Sequence, residues 1–305
     1  MWLRFVPGVV DAADLPLNVS RETLQHDRRL GQIRKRVTRK VMDALTVMLR
    51  DRREDYETFW GAFGPVLKEG LYYDDEHREE LAKLALYPSS TQEGLRSLPE
   101  VVADMPVSQK EIYVLVAPDV EAAKRSPHLE ALAAKGREVL FLTDHVDEFV
   151  LQRLTEFDGK TLRRVDQGEV DLEDEAEKAE RGEKEKALEP VLGQVKETLG
   201  EGIEDVRFSQ RLTDSPACLV DAENDLSPQL RRMMEEQGQA VPARKRVLEL
   251  NATHPMVAKL SENAEGEGFE DACQLLLGLA HVAEGSTPPD PARFARVVGE
   301  LYLKG

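Results

Sequence analysis

Cysteine is nearly absent from this chain: 305 residues carry only Cys218 and Cys273, each inside an apolar segment. A secreted chain of this size held by disulfides would carry more, at recognisable spacings, so both read as small core residues. Long apolar runs are missing too. Nothing approaches the ~18 consecutive residues of a membrane-spanning helix. The opening Met1 to Pro7 is too short for the apolar region of a signal peptide and has no cleavage pattern. These absences point to a cytoplasmic, soluble chain with no membrane partner. Catalytic signatures are lacking as well: no glycine-rich phosphate loop, no G-x-G-x-x-G after a strand, no H-E-x-x-H and no G-x-S-x-G. The six histidines, His26, His77, His128, His145, His254 and His281, have no cysteine or carboxylate at metal-ligand spacing, so no metal site is expected. A freestanding hydrolase or dehydrogenase is excluded on this pattern.

Positive charge is outweighed. Lys and Arg number 41 against 58 Asp and Glu, for a net charge of -17. Such a surface repels phosphate and argues against a nucleic-acid partner. Seven cations, Arg28, Arg29, Arg34, Lys35, Arg36, Arg39 and Lys40, share one helix face, and within so acidic a chain they read as an electrostatic surface within or between domains.

What is present suffices for two or three domains, since 41% of residues are hydrophobic. The chain opens on an apolar, strand-like run, Trp2 to Val6, as if in the middle of a larger architecture. From Asp27, Leu30, Ile33, Val37, Val41, Ala44, Leu45 and Met48 recur at helical steps. A second helix carries Tyr56, Phe59, Trp60, Phe63 and Leu67, with Gly64-Pro65 expected to kink or interrupt it. A third covers about 76 to 86. Ser97-Leu98-Pro99-Glu100 has the form of a capped helix start. The period then changes: strand Ile112 to Val116, helix His128 to Lys135 and strand Val139 to Leu142 make a βαβ unit with a parallel pair. A helix follows at Asp147 to Leu154.

Residues 166 to 189 hold eleven acidic and four basic residues with almost no large apolar side chain. That composition suits a linker or a solvated helix start. Beyond it come strands at Val206 to Leu212, Ala217 to Val220 and Arg246 to Leu250, a helix over about 226 to 237, and two final amphipathic helices. In the first, Phe269, Ala272, Cys273, Leu276, Ala280 and Ala283 share a face. In the second, after Asp290-Pro291, Phe294, Val297, Val298, Leu301 and Tyr302 do. Such helices can cover their own domain or pair with a second copy. The fold class is α/β locally and α+β overall: a helical layer plus a small αβα unit, then an α+β domain ending in two amphipathic helices.

One segment narrows the reading. Leu15-Pro16-Leu17-Asn18-Val19-Ser20-Arg21-Glu22-Thr23-Leu24-Gln25 closely resembles the catalytic loop of the HtpG chaperones, the bacterial ninety-kilodalton heat-shock proteins. Leu3 to Val6 with Gly8 to Asp11 looks like the strand and turn before that loop. Further similar runs follow in the family's order: Phe59-Trp60 through Leu67-Lys68-Glu69-Gly70, Ser126-Pro127-His128-Leu129-Glu130, Leu154 to Lys160, Arg211 to Ala217, and Leu248-Glu249-Leu250-Asn251. The resemblance covers essentially the whole chain.

It implies the later part of the family's middle domain over 1–165, with catalytic loop 15–25, helical layer 27–87 and small αβα unit 97–165. An acidic linker at 166–187 and a C-terminal dimerisation domain at 188–305 would follow. The N-terminal nucleotide domain has no counterpart, so ATP with Mg would be a cofactor only through that domain, and the isolated chain would not be an enzyme. By resemblance, Arg21 reaches the γ-phosphate of ATP held there, with Gln25 beside it; a guanidinium is always charged and can bond phosphate bidentately. The resemblance also implies unfolded client proteins as partners, contacted by Glu148, Phe149 and the stretch Leu226, Leu230, Met233 and Met234, since methionine adapts to varied apolar partners. Phe149 stands where related bacterial proteins carry tryptophan, and core packing is its other reading. A homodimer would form through Phe269, Leu276, Ala280, Phe294, Val298 and Leu301. The alternative is a truncated dimerising adaptor or regulator with no part in an ATP cycle.

Overall fold

The computed structural model of the protein describes residues 2–9, 28–170, 172, 175–222, 225–226, 228–239, 246–264 and 266–304. They fall into two compact units. Helices dominate, joined by short mixed sheets, in keeping with an α+β class.

The first unit comprises residues 1–87, 94–110 and 149–161. Its helices are α1 (Arg28–Asp51), α2 (Arg53–Tyr73) and α3 (Arg78–Leu84). Two short strands, β1 (Leu86–Pro88) and β2 (Leu95–Ser97), pair ahead of α4 (Leu98–Asp104). Met42 and Leu45 of α1, Tyr56, Trp60, Leu67 and Leu71 of α2, and Leu81 and Leu84 of α3 are buried, as their helical spacing requires. The Tyr56 hydroxyl donates to the Leu84 carbonyl at 2.7 Å, so this fully buried ring leaves no polar atom unpaired. Helix α2 corrects one expectation. It runs through Gly64-Pro65 without interruption. The carbonyl that Pro65 leaves without a donor belongs to Gly61, an exposed residue that water can reach.

A second correction lies at the start. Residues 2–5 form a turn rather than a strand, with the Val6 N–H donating to the Leu3 carbonyl. The turn drives Trp2 inwards, where its indole donates to Asp74 at 2.9 Å, and sets Phe5 against Phe59 and Phe63. Burial of aromatic area outweighs extension here. The cap read at Ser97 is present in full: the Glu100 carboxylate accepts from the Ser97 N–H at 2.7 Å. A tight turn at Asp158-Gly159 was not read from the sequence. Both residues have positive φ, 49° and 70°, the two-residue geometry that joins β5 (Glu156–Phe157) to β6 (Lys160–Arg164) as a hairpin.

The second unit comprises 88–93, 111–148 and 162–305. Its first sheet carries β3 (Glu111–Val116) between β4 (Val139–Leu142) and β6. β3 and β4 are parallel, with Tyr113 opposite Val139. The connection holds α5 (Val120–Lys124), a 3-10 turn at Pro127–Leu129 and α6 (Glu130–Ala134). The single helix expected from 128 to 135 is thus a tight turn followed by a shorter helix, because Ser126 caps the turn and Pro127 opens it. α7 (Asp147–Leu151) follows β4.

The acidic stretch is helical from Glu175, in α8 (Glu175–Leu199), where Val191, Val195 and Leu199 turn one stripe into the core. A second sheet places β9 (Val247–Leu250) between β7 (Asp205–Phe208), parallel to it, and β8 (Ala217–Val220), antiparallel. Helices α9 (Pro228–Glu236), α10 (Pro255–Glu262), α11 (Phe269–Ala283) and α12 (Pro291–Lys304) complete the unit. Leu219, Leu248, Leu250, Val257, Cys273, Leu276 and Leu277 close its core. Both cysteines are free and buried; burial pushes the Cys273 thiol up to about 12 and that of Cys218 well above its ordinary value.

Candidate functional site

Arg21 and Gln25 lie outside the described residues. Glu148 and Phe149 are consecutive yet belong to different compact units. Phe149 is half-buried and meets the Tyr72 ring edge-on at 6.0 Å between centroids. Glu148 is buried, a correction to its reading as a presented contact; its charge helps keep the buried Arg164 protonated. On α9, Leu230 is buried, again against expectation, because it sits on the inward stripe of a short amphipathic helix. Leu226, Met233 and Met234 remain partly open.

The terminal helices divide their residues in a similar way. Leu276 and Ala280 of α11 are buried in the core of their own unit, so they are no contact surface; this corrects their assignment. Phe269 packs against the same core. Phe294 of α12 lies on Gly278 of α11, so closely that a Cβ at Gly278 would sit 2.3 Å from Cδ2 of the ring. Val297 is buried beside it. One turn later the same stripe emerges: Val298 is 43% exposed, Leu301 48% and Tyr302 87%. The first half of α12 thus covers its own chain and the second half leaves apolar side chains in water.

A third constellation joins three of the quoted runs. Glu130 accepts from the backbone N–H groups of Thr213, Asp214 and Ser215, at 2.7, 2.8 and 3.1 Å. Burial opposes ionisation of this carboxyl, but the converging N–H groups hold it below the usual range. The Ala131 N–H donates to the Arg211 carbonyl. Arg211 is itself buried; its Nε donates to Glu249 at 2.9 Å and its other donors reach the carbonyls of Val165 and Gly168. Ser209 and Arg207 bond the same carboxylate, at 2.7 and 2.8 Å. Burial again works against Glu249, and Arg211 with its neighbours outweighs it, so the buried charges are matched and bonded. This network fastens the β4-β3-β6 segment to the β7-β9-β8 sheet.

The profile of the Hsp90 protein family matches residues 1–304, nearly the whole chain. The chain belongs to the Hsp90 family. Its relatives include proteins named chaperone protein HtpG from Mycolicibacterium gilvum, 46% identical over 99% of this chain and 48% of the relative, and from Burkholderia cenocepacia, 46% identical over 99% and 49%. The counterpart in Mycolicibacterium paratuberculosis is 44% identical over 99% of this chain and 48% of its own length. This chain therefore spans about half the length of the Hsp90-family relatives it matches. Among the described residues no helix is long and apolar enough to cross a membrane.

In this Hsp90-family chain the Glu130, Arg211 and Glu249 joint was not assigned a role from sequence. The signal was there, in the runs Ser126 to Glu130, Arg211 to Ala217 and Leu248 to Asn251. Sequence order does not reveal that the three runs meet.

Proposed function

We propose that this chain is the client-holding and self-associating half of an Hsp90-family chaperone, and that Arg21 acts on ATP bound by a segment outside it. Membership of the family supports the chaperone role. The observation that carries self-association is the half-exposed stripe of α12, which a second copy can cover with its own Val298, Leu301 and Tyr302 in two-fold arrangement. Client contact falls to Met233 and Met234 on α9 and Leu226 just before it, soft apolar side chains that remain partly open.

Sedimentation equilibrium at micromolar concentration tests the first part. The chain is expected to run as a dimer and Leu301→Asp as a monomer with an unchanged melting transition. A chain that is monomeric throughout sinks the reading. For clients, Met233→Gln with Met234→Gln should weaken suppression of aggregation of a thermally unfolded protein while leaving the dimer intact.

A further inference from the structure

Within the second unit a crevice of about 780 Å³ opens beyond the carboxyl ends of β3 and β6. Two hydrogen bonds, Thr161 N–H to Lys110 and Val165 N–H to Val114, advance in step, so β6 runs parallel to β3. From β3 the chain crosses first to β4 on one side and then to β6 on the other. The crevice therefore sits where strand order reverses, the place where open α/β sheets leave room for ligands. Leu115, Val116 and Ala117 form part of one wall; Met233 of α9 and Val282 and Ala283 of α11 form another.

The polar lining is unbalanced. Four carboxylates, Asp166, Asp221, Glu236 and Glu284, line it together with two cations, Arg125 and Arg246. Asp166 is held by Arg164, with 2.5 Å between them. Arg246 serves two carboxylates: its Nε lies 2.6 Å from Asp221 and its NH groups donate to Glu284 at 2.5 and 2.7 Å. Glu236 stands at the exposed rim. An independent observation marks the interior. His128 lines the crevice, is only 5% exposed, and its Nδ1 has no hydrogen-bond partner among the described residues. A buried ring nitrogen without a partner is costly unless a ligand supplies one.

We propose that this crevice binds a small organic cation, a primary ammonium carried on an apolar body. The ammonium donates to the vacant Nδ1 of His128 and offsets the excess carboxylate charge of Asp221 and Glu236; the body lies against Leu115, Met233 and Val282. The state of the site agrees. Burial and the Arg211 charge hold His128 neutral at pH 7, with its pKa lowered to about 4, so the ring can accept a hydrogen bond. Burial raises Asp221 to about 6, with Asp166, Glu284 and Asp225 adding to the rise; Arg246 offsets only part of it, so a further cation is stabilised there.

The site lies within one chain and needs neither self-association nor a client, so the proposal goes beyond the chaperone reading and can fail separately from it. Calorimetry on the full chain at pH 7.5 tests it with three probes of one shape: n-hexylammonium, 1-hexanol and hexanoate. Hexylammonium is expected to bind at least ~10-fold more tightly than hexanol, about 1.4 kcal/mol, with hexanoate weakest. Glu236→Gln, a change at the exposed rim, should weaken hexylammonium about threefold without moving the melting temperature. Equal binding of alcohol and ammonium, preference for hexanoate, no binding of any probe, or no effect of Glu236→Gln overturns the assignment.

Discussion

Gly278 shows how one residue sets the ending of this chain. Its missing Cβ is what lets the Phe294 ring rest on α11. Gly278→Ala would force the ring and α12 outward, an overpacking that costs about 1–3 kcal/mol. The expected outcome is a lower melting temperature together with weaker self-association, because the stripe beyond Phe294 moves with the helix. His128 and Asp221 make a second residue-scale case, with opposite signs. Folded His128 titrates near 4 against an ordinary 6.5, so its contribution to stability is full above about 6.5 and is lost as pH falls through 4. Folded Asp221 titrates near 6 against 3.8, so its contribution is full below about 3.8 and is lost as pH rises through 6. Each is on the order of 3 kcal/mol across its window. Thermal melts between pH 4 and 6 should show a shallower rise of stability with pH for His128→Asn and a steeper one for Asp221→Asn. Slopes that do not change, or change alike, refute these environments.

At the scale of elements, the joint between the two sheets of the second unit rests on buried charge. Glu249→Met would leave Arg211 buried with only carbonyls, a loss of about 3–5 kcal/mol. The double variant Arg211→Met with Glu249→Met should recover a large part of it, since two apolar side chains of similar volume need no partner. Denaturant unfolding of the two variants measures the difference; equal destabilisation would mean that the pair holds no charge in balance. Most element positions were legible beforehand. Helical periodicity placed α1, α2 and α11, and the box at Ser97 and Glu100 placed α4. The failures differ in cause. At Trp2 to Val6 burial against distant residues, Asp74 and Phe59, overrides the strand preference, whereas at His128 to Lys135 the Ser126 cap and Pro127 set a tight turn, and at Gly64-Pro65 the carbonyl left without a donor is open to water.

For the whole molecule, the prediction concerns the phosphate that Arg21 would meet. The chain alone is expected to hydrolyse ATP at no more than background. Joined to the corresponding N-terminal half of the Mycolicibacterium gilvum relative, it should turn ATP over, and Arg21→Ala should cut turnover by at least ~10-fold, since an arginine stabilises the charge of phosphoryl transfer. Turnover by the isolated chain, or an unaffected Arg21→Ala, would reject the assignment.

The order of residues was enough for the family, most of the helices and strands and the amphipathic stripes, because those depend on neighbours a few positions apart and on motif runs read in a line. Packing alone decided which side of each stripe is used. Leu276, Ala280 and Leu230 face inwards while Val298, Leu301 and Tyr302 do not. Packing likewise brought Glu130 to Ser215, Arg211 to Glu249 and His128 to the crevice. A helical pattern names a face but not what lies against it, and a charge in the sequence names no partner until the chain has folded back on itself.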